Sequence, residues 1–186
     1  MKKVFNARRL CRGGVIAALY VALTLAFGPL PYLGILQIRP AEALCILPLF
    51  FVEAVPALYI GCMIANAFSP FWLYDVFIGS LATLFAALCT YFVGKTVKKE
   101  KAKIFLGGLF PIFFNALIIP FIIVFLCGEG TSADAAGTAY LLSALFIAFT
   151  ESVWVYALGY PLATVVSKMR KSGNSAFLDN DLPLKK

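Results

Sequence analysis

The sequence predicts an all-α integral membrane protein with six transmembrane helices and both termini cytoplasmic, and three observations carry that prediction. Hydrophobic residues make up 62% of the 186 positions and charged residues 13%, with a mean hydropathy of +0.91. Soluble domains average roughly 45–50% apolar and about 25% charged residues. The apolar stretches are long enough to cross a bilayer repeatedly, since each helical span needs roughly 20 residues. The net charge of +7 is gathered in three short basic clusters, Lys2 to Arg12, Lys95 to Lys103 and Lys168 to Lys171. Short basic segments of this kind stay on the cytoplasmic face, so the positive charge reports topology and not a nucleic-acid partner. A soluble enzyme, a disordered chain and a nucleic-acid-binding domain all fit poorly.

Each pair of basic clusters must be separated by an even number of crossings. Residues 1–12 read as a basic cytoplasmic N-terminus, 13–167 as the membrane domain and 168–186 as a cytoplasmic tail. The first span is Gly13–Phe27. Between it and the span Val76–Val93 lies Ala41–Phe71, 31 residues without lysine or arginine. As one helix that segment would be about 46 Å long against a hydrocarbon core of about 30 Å, and it would make the count odd. Pro48 and Pro56 offer breaks. Two short spans are therefore expected, turning near Glu53–Pro56. The last two spans are Ile104–Cys127 and Thr138–Val166, joined by an outer loop that carries Glu129 and Asp134 and no basic residue. The N-terminus also resembles a secretory signal, but removing that run would break the parity.

The chain contains no histidine, which removes imidazole acid–base chemistry, Ser-His nucleophiles and most zinc sites. No metal or other cofactor is expected. The five cysteines stand singly in apolar sequence without a CxxC, and read as small packing residues. Gly94-Lys95-Thr96 resembles the end of a phosphate-binding loop, but Cys89 occupies the earlier glycine position and the context is a membrane helix end.

Ionisable and amide side chains inside a bilayer are costly, so each needs a partner, a cavity or a function. The candidates are Gln37, Arg39, Glu42, Asn66, Asp75, Asn115 and Glu151, with Glu53 expected at a solvated cytoplasmic turn. Asn115 and Glu151 fall at matching depth, about 18–20 Å from the outer ends of consecutive antiparallel helices. This suggests a pocket open to the outside, with Asn115 and Glu151 as floor, Asp75 and Glu42 as wall, and Trp72, Tyr74 and Trp154 as stacking surfaces. The alternative for Asn115 and Glu151 is an interhelical hydrogen bond without a ligand; for Arg39 and Glu42 it is an ion pair at the membrane edge. Several carboxylates beside one arginine favour a flat ligand that is rich in hydrogen-bond donors or positively charged, and a guanine-like base is compatible.

Gly14, Ala18, Ala22 and Ala26 recur every fourth residue and make a smooth stripe along the first helix. Small residues at this spacing let helices approach closely in lipid, either a second membrane subunit or a neighbour in the same chain.

The segments QIRPAEALCILPLFF (Gln37–Phe51), EAVPALYIGCMIANAF, FNALIIP and ESVWVYALGYPL resemble the QueT family, whose proteins are proposed substrate-binding S components of energy-coupling-factor (ECF) transporters for queuosine precursors. The resemblance covers most of residues 12–167. It implies a six-helix S-component fold in the bacterial cell membrane and a deazaguanine ligand closed in by the loop between the first two helices. It also implies that the Ala18/Ala22/Ala26 surface contacts an EcfT-type transmembrane coupling subunit, with two ABC ATPase subunits supplying the energy. The other readings are an S component for a different vitamin or nucleobase, a stand-alone proton-coupled secondary transporter, and an intramembrane enzyme. Small size and the lack of a repeat weigh against the second. Against the third, Asp75 lacks the second intramembrane aspartate that an aspartyl protease needs.

Overall fold

The computed structural model describes residues 7–33, 37–128 and 135–173. The outer-loop acids Glu129 and Asp134, the lysines at positions 2 and 3, and the tail from residue 174 onward lie outside the described residues. Among the described residues the chain forms six main helices: α1 (Ala7–Ala26), α2 (Pro40–Leu49), α3 (Ala54–Asn66), α4 (Trp72–Thr96), α5 (Glu100–Leu126) and α6 (Ala136–Lys171). Four of these, α1, α4, α5 and α6, are long and apolar enough to cross a membrane. The region from Ala41 to Phe71 is indeed divided in two, with the break at residues 50–53.

The two short helices are not alike. α3 is α-helical, whereas α2 is a 3₁₀ helix with Pro40 at its start and Pro48 inside it. A 3₁₀ helix rises about 2.0 Å per residue, so its ten residues reach about 20 Å. All ten are buried. α2 is thus the centre of the bundle and not a lipid-facing span, which explains how poorer backbone geometry survives in a membrane domain: irregular backbone persists there only when protein surrounds it.

Close approach to α2 is made by glycines on its neighbours. A Cβ on Gly94 of α4 would lie 2.6 Å from the Leu49 carbonyl oxygen, and one on Gly159 of α6 would lie 3.1 Å from that of Ala43. The main core gathers α2 with the inward faces of α1 and α3, including Ile16, Tyr20, Ile46, Leu49, Leu58 and Cys62. A second apolar cluster, Ile119, Ile122, Ile123 and Ile147, joins the outer halves of α5 and α6.

The inner end is tied by charge. Arg12 of α1 forms an ion pair with Glu53 and lies 4.1 Å over the Phe51 ring. Arg170 of α6 donates from Nη1 to the Phe50 carbonyl at 2.7 Å, and Lys171 pairs with Glu100 at 2.5 Å. Glu53 is therefore not the solvated turn residue that its position suggested; its side chain is 10% exposed and engaged. A carboxylate at a bundle end is drawn into the nearest guanidinium rather than left to water when both sit under the same turn.

Candidate functional site

α1 presents Ile16, Tyr20 and Thr24 inward, the face opposite its small-residue stripe. Tyr20 donates its hydroxyl to Glu42 Oε1 at 2.6 Å, and Cys45 donates from Sγ to Glu42 Oε2 at 3.1 Å. Glu42 lies in the first turn of α2, where the helix dipole favours negative charge. Both of its oxygens are therefore engaged, and Arg39 instead donates from Nε to the Pro31 carbonyl at 3.1 Å. The two side chains share a field but form no ion pair with each other.

Asn66, at the end of α3, reaches across to α4 and donates to the Asp75 carbonyl at 2.8 Å. The Asp75 carboxylate accepts from Ser69 at 2.5 Å. Cys62 Sγ accepts from both Asn66 and Thr83, each at 3.4 Å. On the other side of the site, Asn115 of α5 donates from Nδ2 to Glu151 Oε1 of α6 at 3.1 Å. Gly159 of α6 packs against the Ala43 carbonyl of α2, so the start of α2 and the part of α6 that carries Glu151 border one polar centre.

Gln37, Arg39, Glu42, Asn66, Asp75, Asn115 and Glu151 are all at most 7% exposed. Depth along the sequence puts only Asn115 and Glu151 well inside the membrane and the other five near its outer surface; the structure buries all seven. The sequence predicts a pocket open to the outside, but none of these seven side chains is exposed there. The chain between α1 and α2 is pinned by the Tyr32 hydroxyl, which donates to the Ala65 carbonyl at 2.5 Å, and by Arg39 on Pro31. Unlike-charged and donor–acceptor groups in a low-dielectric interior turn toward one another rather than outward. Trp154 is half-buried, with its ring edge-on to Phe27 at 6.3 Å. Trp72 is 55% exposed, Tyr74 is 36% exposed, and neither joins the buried cluster. A separate apolar hollow of about 370 Å³ lies at the outer end, bordered by Leu25, Tyr32, Leu33 and Phe68.

Four buried polar atoms of this region have no partner among the described residues: Arg39 Nη2, Asn115 Oδ1, Ser143 Oγ and Glu151 Oε2. Orphaned buried polar atoms are rare in native structures and mark strain or a missing ligand. Two π-helical turns adjoin the site, Asp75–Gly79 at the start of α4 and Val155–Gly159 just after Glu151; such turns re-aim side chains and recur at functional positions.

Sequence reasoning passed over Tyr20, Cys45, Cys62 and Ser143. The cysteines were expected to be packing residues, but two of them hydrogen-bond inside the polar centre. Their spacing held the signal: Cys45 is three residues after Glu42 and Cys62 four before Asn66, so each shares a helix face with a polar candidate.

Six main helices around a buried, acid-rich polar centre define a polytopic membrane protein. The family profile described as QueT transporter matches residues 10–168, and the chain belongs to the QueT transporter family. The "Queuosine precursor transporter QueT" of Lactococcus lactis subsp. cremoris (strain MG1363) is 42% identical over 72 residues, which is 38% of this chain and 41% of that relative. The matched segment thus spans less than half the length of the curated relative. No solved structure matches the chain significantly. The protein is a multi-pass component of the bacterial cell membrane.

Proposed function

We propose that the chain is the substrate-binding S component of an ECF-type importer that takes up a queuosine precursor such as 7-aminomethyl-7-deazaguanine or queuine. The observation that carries this reading is the pair Asn115–Glu151. One N–H of the Asn115 amide goes to Glu151 Oε1, while Glu151 Oε2 and Asn115 Oδ1 remain unpartnered in the interior. A guanine-like edge offers a ring N–H beside an amino group, which suits the Glu151 carboxylate, and the second Asn115 N–H suits its carbonyl. Three carboxylates, Glu42, Asp75 and Glu151, against Arg39 alone also favour a guest bearing an amine.

The name of the Lactococcus relative supports the ligand class, and the outer surface of α1 supports an external power source. Gly14, Ala18, Ala22 and Ala26 are all exposed, so the stripe is free for an EcfT-type coupling subunit that brings two ABC ATPases.

Calorimetric titration of the purified chain with 7-aminomethyl-7-deazaguanine tests the site. Replacing a charge-assisted acceptor with a neutral amide removes a bond of about 1.5–3 kcal/mol. Glu151→Gln is therefore expected to weaken binding about 10- to 100-fold in a protein that remains folded and extractable. Unchanged affinity would reduce Asn115–Glu151 to an interhelical hydrogen bond.

A further inference from the structure

Ser143 lies on the buried stripe of α6 together with Ile147 and Glu151, at i, i+4 and i+8, so the three share one helix face. Its side chain is 0% exposed and its hydroxyl has no partner. That is unexpected for a helical hydroxyl, which readily bonds the carbonyl one turn back. Thr24, Thr96, Thr150, Ser152 and Thr164 all do so here. Ser143 forgoes that bond and turns a buried hydroxyl toward no partner among the described residues. One turn inward, Ile147 packs with Ile119, Ile122 and Ile123, an apolar wall without a donor or acceptor side chain.

Eight residues of α-helix separate Ser143 from Glu151, about 12 Å between their Cα atoms. Side chains on a helix lean toward its N-terminus, so the longer Glu151 side chain reaches outward and shortens the gap between the polar atoms. We propose that Ser143 is the outer contact of the same site. Its hydroxyl would bind an amine or hydroxyl carried on the arm of a 7-substituted 7-deazaguanine, whose base edge sits on Glu151 and Asn115. The site is then built for an elongated ligand that is polar at both ends and apolar between, with Ile147 against the middle. A bare base would leave Ser143 unsatisfied. The inference rests on the deazaguanine reading above and adds to it the selection of the substituent.

The test is calorimetric titration of the unaltered chain and of Ser143→Ala with three probes: 7-deazaguanine, 7-aminomethyl-7-deazaguanine and queuine. Loss of one neutral hydrogen bond corresponds to about a 2- to 10-fold change. Ser143→Ala is expected to weaken binding of one or both substituted probes by that factor and to leave 7-deazaguanine unaffected. Equal weakening of all three probes would assign Ser143 to packing, and unchanged affinity for all three would remove it from the site; either overturns the proposal while the deazaguanine reading stands. Failure of the unaltered chain to bind any of the three would overturn both. Thermal unfolding of the variant without ligand checks that any loss belongs to the contact and not to the fold.

Discussion

Arg12 and Glu53 show how much a single pair can decide at the inner end of this bundle. Their side chains are only 13% and 10% exposed, and the guanidinium also covers the Phe51 ring. Removing one partner of a buried pair leaves the other charge uncompensated, which costs of order 3–5 kcal/mol. Glu53→Ala is expected to lower the Tm in detergent markedly, whereas Glu53→Asp, which keeps the charge, should recover part of the loss. Equal Tm values for Glu53→Ala and the unaltered chain would mean that the pair is dispensable. The same scale governs the proposed ligand site. Asn115 and Glu151 were legible in the sequence because amide and carboxyl groups deep in an apolar run are conspicuous. Ser143 was not, because a serine in a membrane helix ordinarily satisfies itself on its own backbone and only the coordinates reveal that it does not.

The element that organises the fold is α2, and its secondary structure was the hardest to read. The sequence indicated a turn near Glu53–Pro56; the break falls slightly earlier, at residues 50–53, and Pro56 lies in the first turn of α3. The sequence did not indicate a 3₁₀ helix, because prolines at positions 40 and 48 are equally compatible with a kinked α-helix. Burial on every side settles the matter, and the contacting glycines measure how tightly. Any side chain at position 94 would place Cβ 2.6 Å from the Leu49 carbonyl oxygen, while Gly14 has nothing within 4 Å. Overpacking of this kind costs about 1–3 kcal/mol or more when backbone is the obstacle. Gly94→Val is expected to reduce both folded yield and Tm. Gly14→Ala should leave the Tm unchanged or slightly higher, since alanine favours helix by up to about 1 kcal/mol. A Gly94→Val protein as stable as the parent would show that α4 and α2 can separate without penalty.

For the whole molecule, the question is which surface meets a partner. α1 divides its two faces cleanly: Ile16, Tyr20 and Thr24 point into the core, and Gly14, Ala18, Ala22 and Ala26 point out. A bulky residue on the outward face would hold a neighbouring helix away and forfeit close packing, without touching Glu42 or Glu151. Ala22→Trp is therefore expected to bind 7-aminomethyl-7-deazaguanine normally, to fail to co-purify with the coupling subunit and ATPases, and to support no ATP-dependent uptake. Titration and pull-down on one preparation decide it, and normal co-purification would place the docking surface elsewhere on the bundle. The sequence by itself determined that the chain lives in a membrane, that its spans pair across three basic clusters, and which carboxylates and amides the bilayer would not tolerate unpartnered; these are local transfer costs, summed along the chain. Only the tertiary structure decided that the polar residues are buried together, that two cysteines and Tyr20 join them, and that the small stripe on α1 faces outward. Those outcomes depend on which helix faces meet, and hydropathy varies little around α2, α3, α4 and α5, so packing geometry selects among their faces.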